Sequence, residues 1–133
     1  MCQDDNEFHG KKWVETGHDL DFIATHHKGF SIGVECKNTL PYIPKQELDL
    51  KIRMCHYLGL KPVFVLRWAP KSYIYEVYSQ GGFCLLLEFQ LYPLAYDDMA
   101  DKITQSLNLP IMVTPEIRSD AQIRFSNWVN KQK

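Results

Sequence analysis

The sequence lacks a long apolar run, an excess of one charge and the common nucleotide-binding motifs. Its apolar runs are far shorter than the roughly 20 residues that cross a bilayer, and its first residues lack the apolar stretch of a signal peptide. The 15 Lys and Arg residues against 16 Asp and Glu give a net charge of -1, which argues against nucleic-acid binding through bulk positive charge. We therefore expect a soluble, cytoplasmic protein without a membrane partner.

Paired cysteines and glycine-rich loops are also missing. The four cysteines, Cys2, Cys36, Cys55 and Cys84, lie far apart without a C-x-x-C pair, so neither a zinc ribbon nor a thioredoxin-like site is indicated, and we expect reduced, mostly buried thiols. No Walker A loop, G-x-G-x-x-G or G-x-S-x-G is present, which excludes the common phosphate cradles and the serine-hydrolase elbow. With 133 residues, 45% of them hydrophobic, the chain is expected to form one domain over residues 1–133.

Strand and helix patterns alternate along the chain. Period-two alternation and β-branched or aromatic runs predict strands at 12–15, 19–25, 30–37, 62–68, 73–78 and 83–89. Helical patterns and caps predict helices at 44–58, 95–107 and 120–131, with a short apolar segment at 111–113. The expected fold class is α/β, a mixed β-sheet flanked by helices, in which 19–25 pairs with 30–37 and 73–78 pairs with 83–89 as hairpins.

The helix predicted at 44–58 is amphipathic and forms a crossover between two strands. Pro44 suits its first turn because the fixed φ of proline is helical and its missing N–H is not needed there, and Gly59 is a suitable C-terminal stop. The apolar run at 62–68 is typical of an interior strand buried on both faces. Along the helix an apolar stripe and a set of polar positions can be assigned, namely Leu48, Ile52 and Cys55 against Glu47, Asp49, Lys51 and Arg53.

Three charged residues of the first predicted hairpin converge on one sheet face. Side chains alternate along a strand, so Glu35 and Lys37 point to the same side, and pairing of the two strands brings Asp21 near Glu35. Two neighbouring carboxylates repel each other unless a cation lies between them. Mg²⁺, or Mn²⁺, suits such a site, because it binds one or two carboxylates together with water and phosphate, and the carbonyl of Cys36 is a further candidate ligand.

This order of an Asp, a Glu-x-Lys on the next strand, a helix and an interior strand resembles the PD-(D/E)XK nuclease superfamily, which has the restriction endonuclease-like fold. The resemblance covers roughly residues 12–68. It implies that Asp21 and Glu35 bind the metal ion, that Lys37 is the motif lysine, and that Gln46 lies near the scissile phosphate.

The chain departs from the family pattern in two places. Leu20 stands where the motif has a proline, and few residues precede the first predicted strand, whereas members usually begin with a helix that carries a further acid. Glu7 and Glu15 are the candidates for that acid.

These observations predict a Mg²⁺-dependent endonuclease that hydrolyses DNA phosphodiester bonds, with Lys37 orienting the attacking water. RNA stays open as a substrate, since no residue is assignable to reading a 2′-hydroxyl. One alternative is a non-catalytic, nuclease-like module that binds nucleic acid or a protein. Another is a structural domain in which Glu35 and Lys37 form surface ion pairs.

Further contacts are predicted away from the trio. The aromatic hairpin at 73–78 and the apolar strand at 83–89 offer a surface for a homodimer. Basic side chains of the crossover helix are candidates to follow a nucleic-acid backbone, namely Lys45, Lys51 and Arg53.

Overall fold

A computed structural model describes residues 6–39, 41–88, 90–92, 111–113 and 119–132 of the chain. Its helices are α1 (Lys45–Leu58), α2 (Lys71–Ser79) and α3 (Ser119–Lys131). Its strands are β1 (Glu7–Phe8), β2 (Lys11–Lys12), β3 (Phe22–Thr25), β4 (Ser31–Lys37), β5 (Lys61–Leu66), β6 (Phe83–Leu86), β7 (Gln90–Tyr92) and β8 (Ile111–Val113). The predicted class, a mixed sheet flanked by helices, is confirmed.

A four-stranded sheet in the order β3-β4-β5-β6 forms the centre of the fold. β3 is antiparallel to β4, while β4, β5 and β6 are mutually parallel neighbours. The β3–β4 hairpin turns through Gly29, whose φ of 94° is readily adopted only by glycine. The crossover through α1 returns the chain to a parallel strand, and β5 is the predicted interior strand, with Phe64 and Val65 directed to opposite clusters.

Helix α1 begins at Lys45, one residue later than predicted, because Pro44 is its extended N-cap, and it ends at Leu58 before the predicted stop at Gly59. Gly59 has a φ of 76° and its N–H donates to the carbonyl of His56, which closes the last turn. Gly33 of β4 lies under this helix, where an added Cβ would be 2.8 Å from Cys55 Sγ. The missing side chain therefore allows α1 to approach the sheet closely.

Helices cover both faces of the sheet, and each face buries an apolar cluster. Helix α3 covers one face with an apolar cluster that comprises Val34, Val63, Phe83, Leu85, Leu87 and Ala121. Helices α1 and α2 cover the other face, where the buried residues include Ile43, Leu48, Ile52, Phe64, Leu66 and Val77. A third cluster joins α1 to the segment before β3 through Trp13, Leu20, Leu50, Met54, Cys55, Leu58 and Leu60.

The strand and hairpin predicted at 73–78 are wrong, because these residues lie in helix α2. Val77 is fully buried, and Tyr73 and Ile74 pack beside it at helical spacing, so tertiary burial overrides the β propensity of the aromatic residues. The predicted partner strand is β6, which pairs with β5 instead. Phe83 of the apolar strand is buried beneath α3, whereas Tyr75 and Tyr78 of α2 are exposed at 71% and 45%, so the predicted hairpin surface is not formed and the homodimer stays a prediction.

The first predicted strand, 12–15, is also wrong beyond Lys12. That residue ends a small β1–β2 hairpin, and Trp13 then packs into the cluster beside α1, with its Nε1 donating to Thr16 Oγ1 at 2.9 Å. The helix predicted at 120–131 is confirmed as α3, and 111–113 is β8, parallel to β7. The helix predicted at 95–107, and Phe89 at the end of the strand predicted at 83–89, lie outside the described residues.

Cys36, Cys55 and Cys84, the described cysteines, are not joined by disulfides. Cys55 and Cys84 are buried, as predicted, and burial raises the pKa of each thiol to about 12, so both are chemically inert. Cys36 is exposed, contrary to the general expectation. None of the described helices is long and apolar enough to cross a membrane.

Candidate active site

Strand β4 carries the candidate site on the face that packs against α1. Glu35 and Lys37 both contact side chains of α1, while Val34, the residue before Glu35, packs in the cluster beneath α3. The alternation expected from the sequence therefore describes this strand correctly.

Asp21 lies directly before β3 and is fixed across the hairpin to β4. Its N–H donates to the carbonyl of Val34 at 3.0 Å, and its Oδ2 accepts a hydrogen bond of 2.6 Å from the N–H of Cys36. Phe22 pairs with Val34 in the register of the hairpin, so Asp21 stands beside Glu35. The two acids predicted to be neighbours are brought together.

Glu35 is 7% exposed, and its charge is partnered by a lysine from α1. Oε2 lies 3.0 Å from Lys51 Nζ, and both side chains are buried. The pair is a close ion contact between two groups that are both removed from solvent. Lys51 Nζ donates its hydrogen bond to the backbone carbonyl of Asp19.

Burial raises the pKa of the Glu35 carboxyl above its ordinary value, since desolvation disfavours the charged form. The Lys51 ammonium opposes this shift, whereas the nearby carboxylates of Asp21 and Glu47 add to it. Glu35 is thus a carboxylate held among like charges, with one cation beside it.

Lys37 ends β4 and faces the first turn of α1. Its Nζ lies 3.0 Å from Glu47 Oε1, and both side chains are partly exposed, at 33% and 22%. An ion pair of this exposure is worth little to stability, and solvent reaches it. Lys37 is therefore near the acids and accessible from outside.

The other predicted residues lie around this group. Gln46 is exposed in the first turn of α1. Cys36 contributes its backbone N–H to Asp21. Of the two candidates for a further acid, Glu7 is exposed in β1, and Glu15 forms an ion pair of 3.1 Å with Arg53 on the surface.

The basic residues predicted to contact nucleic acid occupy different environments. Lys45 is partly exposed and pairs with Asp49 and Glu76, and the hydrogen bonds that it donates to these two carboxylates raise its pKa. Arg53 is 59% exposed. The prediction is wrong for Lys51, which is buried against Glu35 and is not available to a nucleic-acid backbone.

Sequence reasoning missed Lys51 and Glu47 as members of the site. A signal for Lys51 exists in its spacing, since it lies three residues after Leu48 and four before Cys55, on the apolar stripe of α1. A lysine on such a stripe is buried and requires a partner. Glu47 gave no comparable signal, because an acid in the first turn is also favoured by the helix dipole.

The donor set fits a divalent cation in part. No three His, Cys, Asp or Glu side chains are arranged to hold a metal ion anywhere in the described ranges. Mg²⁺, however, is often bound by one or two carboxylates and completes its shell with water and substrate phosphate. Asp21 and Glu35 offer such a pair, and a cation between them would offset the repulsion between the two carboxylates.

No protein-family model matches this chain, and no curated protein or solved structure is significantly similar to it. The resemblance to the nuclease superfamily therefore depends on the motif residues and on the order of the elements that carry them.

Proposed function

We propose that the chain is a metal-dependent nuclease of the restriction endonuclease-like fold that hydrolyses DNA phosphodiester bonds. The observation that carries this proposal is the meeting of Asp21 and Glu35 on the α1 side of the β3–β4 hairpin, with Lys37 on the same face. A buried acid with a raised pKa, such as Glu35, is frequent at functional sites.

The order of the elements supports the same proposal. An antiparallel hairpin bears the acids, α1 crosses over beside them, and β5 returns parallel to β4. This is the order that the motif resemblance requires.

Each residue has a distinct part in the proposed reaction. Asp21 and Glu35 would hold Mg²⁺, which supplies positive charge to the phosphate and acidifies a water molecule when bound. The Lys37 ammonium would orient the attacking water and contact the phosphate, because it is exposed and adjacent to the acids. Glu47 would keep Lys37 directed toward them, and the hydrogen bond from the Cys36 N–H would fix Asp21.

One observation favours the alternative of a non-catalytic, nuclease-like module. Each member of the trio has an internal partner, since Lys37 faces Glu47, Glu35 faces Lys51 and Asp21 accepts the N–H of Cys36. Such a site would have a partner for each member of the trio without a metal ion, and its face would serve for binding alone.

Cleavage assays separate the two functions. Single-stranded DNA, duplex DNA, branched DNA and RNA would be incubated with the protein and Mg²⁺ or Mn²⁺, with EDTA as the negative control. We expect cleavage of DNA by the wild type and a loss of about 100-fold or more in Asp21→Asn, Glu35→Gln and Lys37→Met. The losses should not add in combination, because the three side chains act as a unit.

Asp120→Asn is the matched control, because it removes a carboxylate from α3, on the opposite face of the sheet. It should cleave as the wild type does. Binding of nucleic acid without cleavage under any metal condition, by folded wild-type protein, would instead establish the non-catalytic module.

A further inference from the structure

Lys51 and Glu35 are the two charged side chains that are buried in the part of the chain that the structure describes, at 4% and 7% exposure. A buried ion pair contributes little to stability, because both ions lose their hydration, and an apolar pair of the same volume often stabilises as well or better. Packing alone therefore does not explain a lysine at this position of α1.

The Lys51 ammonium joins three segments at the candidate site. It extends from α1, lies 3.0 Å from Glu35 Oε2 in β4, and donates a hydrogen bond to the carbonyl of Asp19, two residues before Asp21. One cation thus contacts the segments that carry both proposed metal-binding acids.

The charges of the site indicate that Lys51 offsets the repulsion between carboxylates that a metal ion would otherwise offset. Three carboxylates and two ammonium groups give a net charge of -1, and Lys37 faces Glu47 at 3.0 Å. Lys51 is left to offset the repulsion between Glu35 and Asp21, which is also what a divalent ion would do there.

We propose that Lys51 is an internal counter-cation of Glu35 that competes with the divalent ion and thereby sets the ion concentration at which the site fills. This inference rests on the proposed function, because it takes Asp21 and Glu35 to be the ligands. Two cations beside one buried carboxylate repel each other strongly, since little water screens them. Lys51 acts as a positioning residue in the metal-free protein and lowers the affinity for the ion.

The test measures metal binding directly, without nucleic acid or cleavage. Mn²⁺ would be titrated into the full chain, and free Mn²⁺ would be followed by electron paramagnetic resonance for the wild type, Lys51→Met and Lys51→Gln. Lys51→Gln keeps an N–H donor for the Asp19 carbonyl and removes the charge. We expect both variants to bind Mn²⁺ about tenfold or more tightly than the wild type, because a neighbouring charge commonly shifts a carboxylate equilibrium by that factor or more.

Arg53→Met is the control for a general change of charge. It also removes one positive charge from α1, but its side chain is 59% exposed and pairs with Glu15. Solvent and salt screen such a charge, so its Mn²⁺ affinity should stay within about twofold of the wild type.

The outcomes distinguish this inference from the proposed function. Mn²⁺ binding of equal affinity in the wild type and in both Lys51 variants would overturn the competition and leave the nuclease proposal standing. Absence of Mn²⁺ binding in all proteins would overturn both. Variants that fold only when Mn²⁺ is present would support the competition, whereas variants that stay unfolded with Mn²⁺ would make Lys51 a structural support and overturn it.

Discussion

The two faces of the sheet bury different kinds of side chain. Toward α3 the cluster is apolar throughout, whereas toward α1 the same strand, β4, directs Glu35 into the interior beside Lys51. Apolar burial stabilises a fold roughly in proportion to area, while a buried ion pair seldom does. Both faces therefore stabilise the domain through apolar clusters, and the α1 face also buries a charged pair that stability alone does not explain.

On the apolar face, the largest loss of stability is expected from a substitution at Phe83. Its ring is 4% exposed and lies 5.7 Å from Phe125 and 5.5 Å from Trp128, measured between ring centroids. Phe83→Ala should lower the free energy of unfolding by about 3–5 kcal/mol, because it removes a large buried ring and leaves a cavity. Urea denaturation measures the change.

Ile123→Ala on α3 is the control for this substitution. Ile123 is 59% exposed, so its truncation should change stability by no more than about 0.5 kcal/mol. Comparable losses in the two variants would mean that α3 does not pack on the sheet through Phe83.

On the charged face, the protein should be destabilised when one member of the buried ion pair is removed. Lys51→Met should destabilise the metal-free protein by about 3–5 kcal/mol, since it leaves the Glu35 carboxylate buried without a cation. The double variant Glu35→Gln/Lys51→Met should recover most of that loss, because no unpaired charge remains. A double-mutant cycle from urea denaturation gives the coupling energy.

A second lysine of α1 sharpens this prediction. Lys45 also has two carboxylate partners, Asp49 and Glu76, but its side chain is 42% exposed. Lys45→Met should therefore cost less than about 1 kcal/mol. If Lys51→Met lowers the free energy of unfolding no more than Lys45→Met does, burial of the ion pair does not affect its contribution to stability in this protein.

Much of the charged face could be predicted from local pattern. The period of two along β4 is sufficient to place Glu35 and Lys37 on one side, and the hairpin turn before Phe30 is sufficient to bring Asp21 alongside. The partner of Glu35 could not be predicted, because it depends on how α1 is rotated against the sheet. That rotation follows from packing at Gly33, which is a tertiary contact.

Helix α2 shows where local pattern is misleading. Tyr73, Tyr75 and Val77 alternate with other residues as in a strand, and aromatic and β-branched residues favour strands. The chain nevertheless needs a second crossover there, since β5 and β6 are parallel and cannot be joined by a hairpin. Pro70 before α2 resembles Pro44 before α1 and is the sequence signal that identifies a helix start.

The smallest expected effect is a dependence of stability on pH. It should distinguish Glu35, on one face of β4, from Val34, on the other. Burial raises the pKa of Glu35, opposed by Lys51, so the folded protein binds its proton more tightly than the unfolded chain does. Between the ordinary value of 4.5 and the raised pKa, the folded state holds more protons, and its stability therefore falls as pH rises through that window.

Glu35→Gln does not titrate at this position, so the part of the pH dependence of stability that comes from Glu35 should be absent in this variant. Measured without metal from about pH 4 to about pH 7, its free energy of unfolding should rise relative to the wild type as pH increases. Val34→Ala, on the other side of the same strand, removes only apolar contacts and should lower stability by an amount independent of pH. Parallel pH profiles for the wild type and Glu35→Gln would show that Glu35 titrates alike in the folded and unfolded chain, and the charged face would then differ from the apolar one in composition but not in energetics.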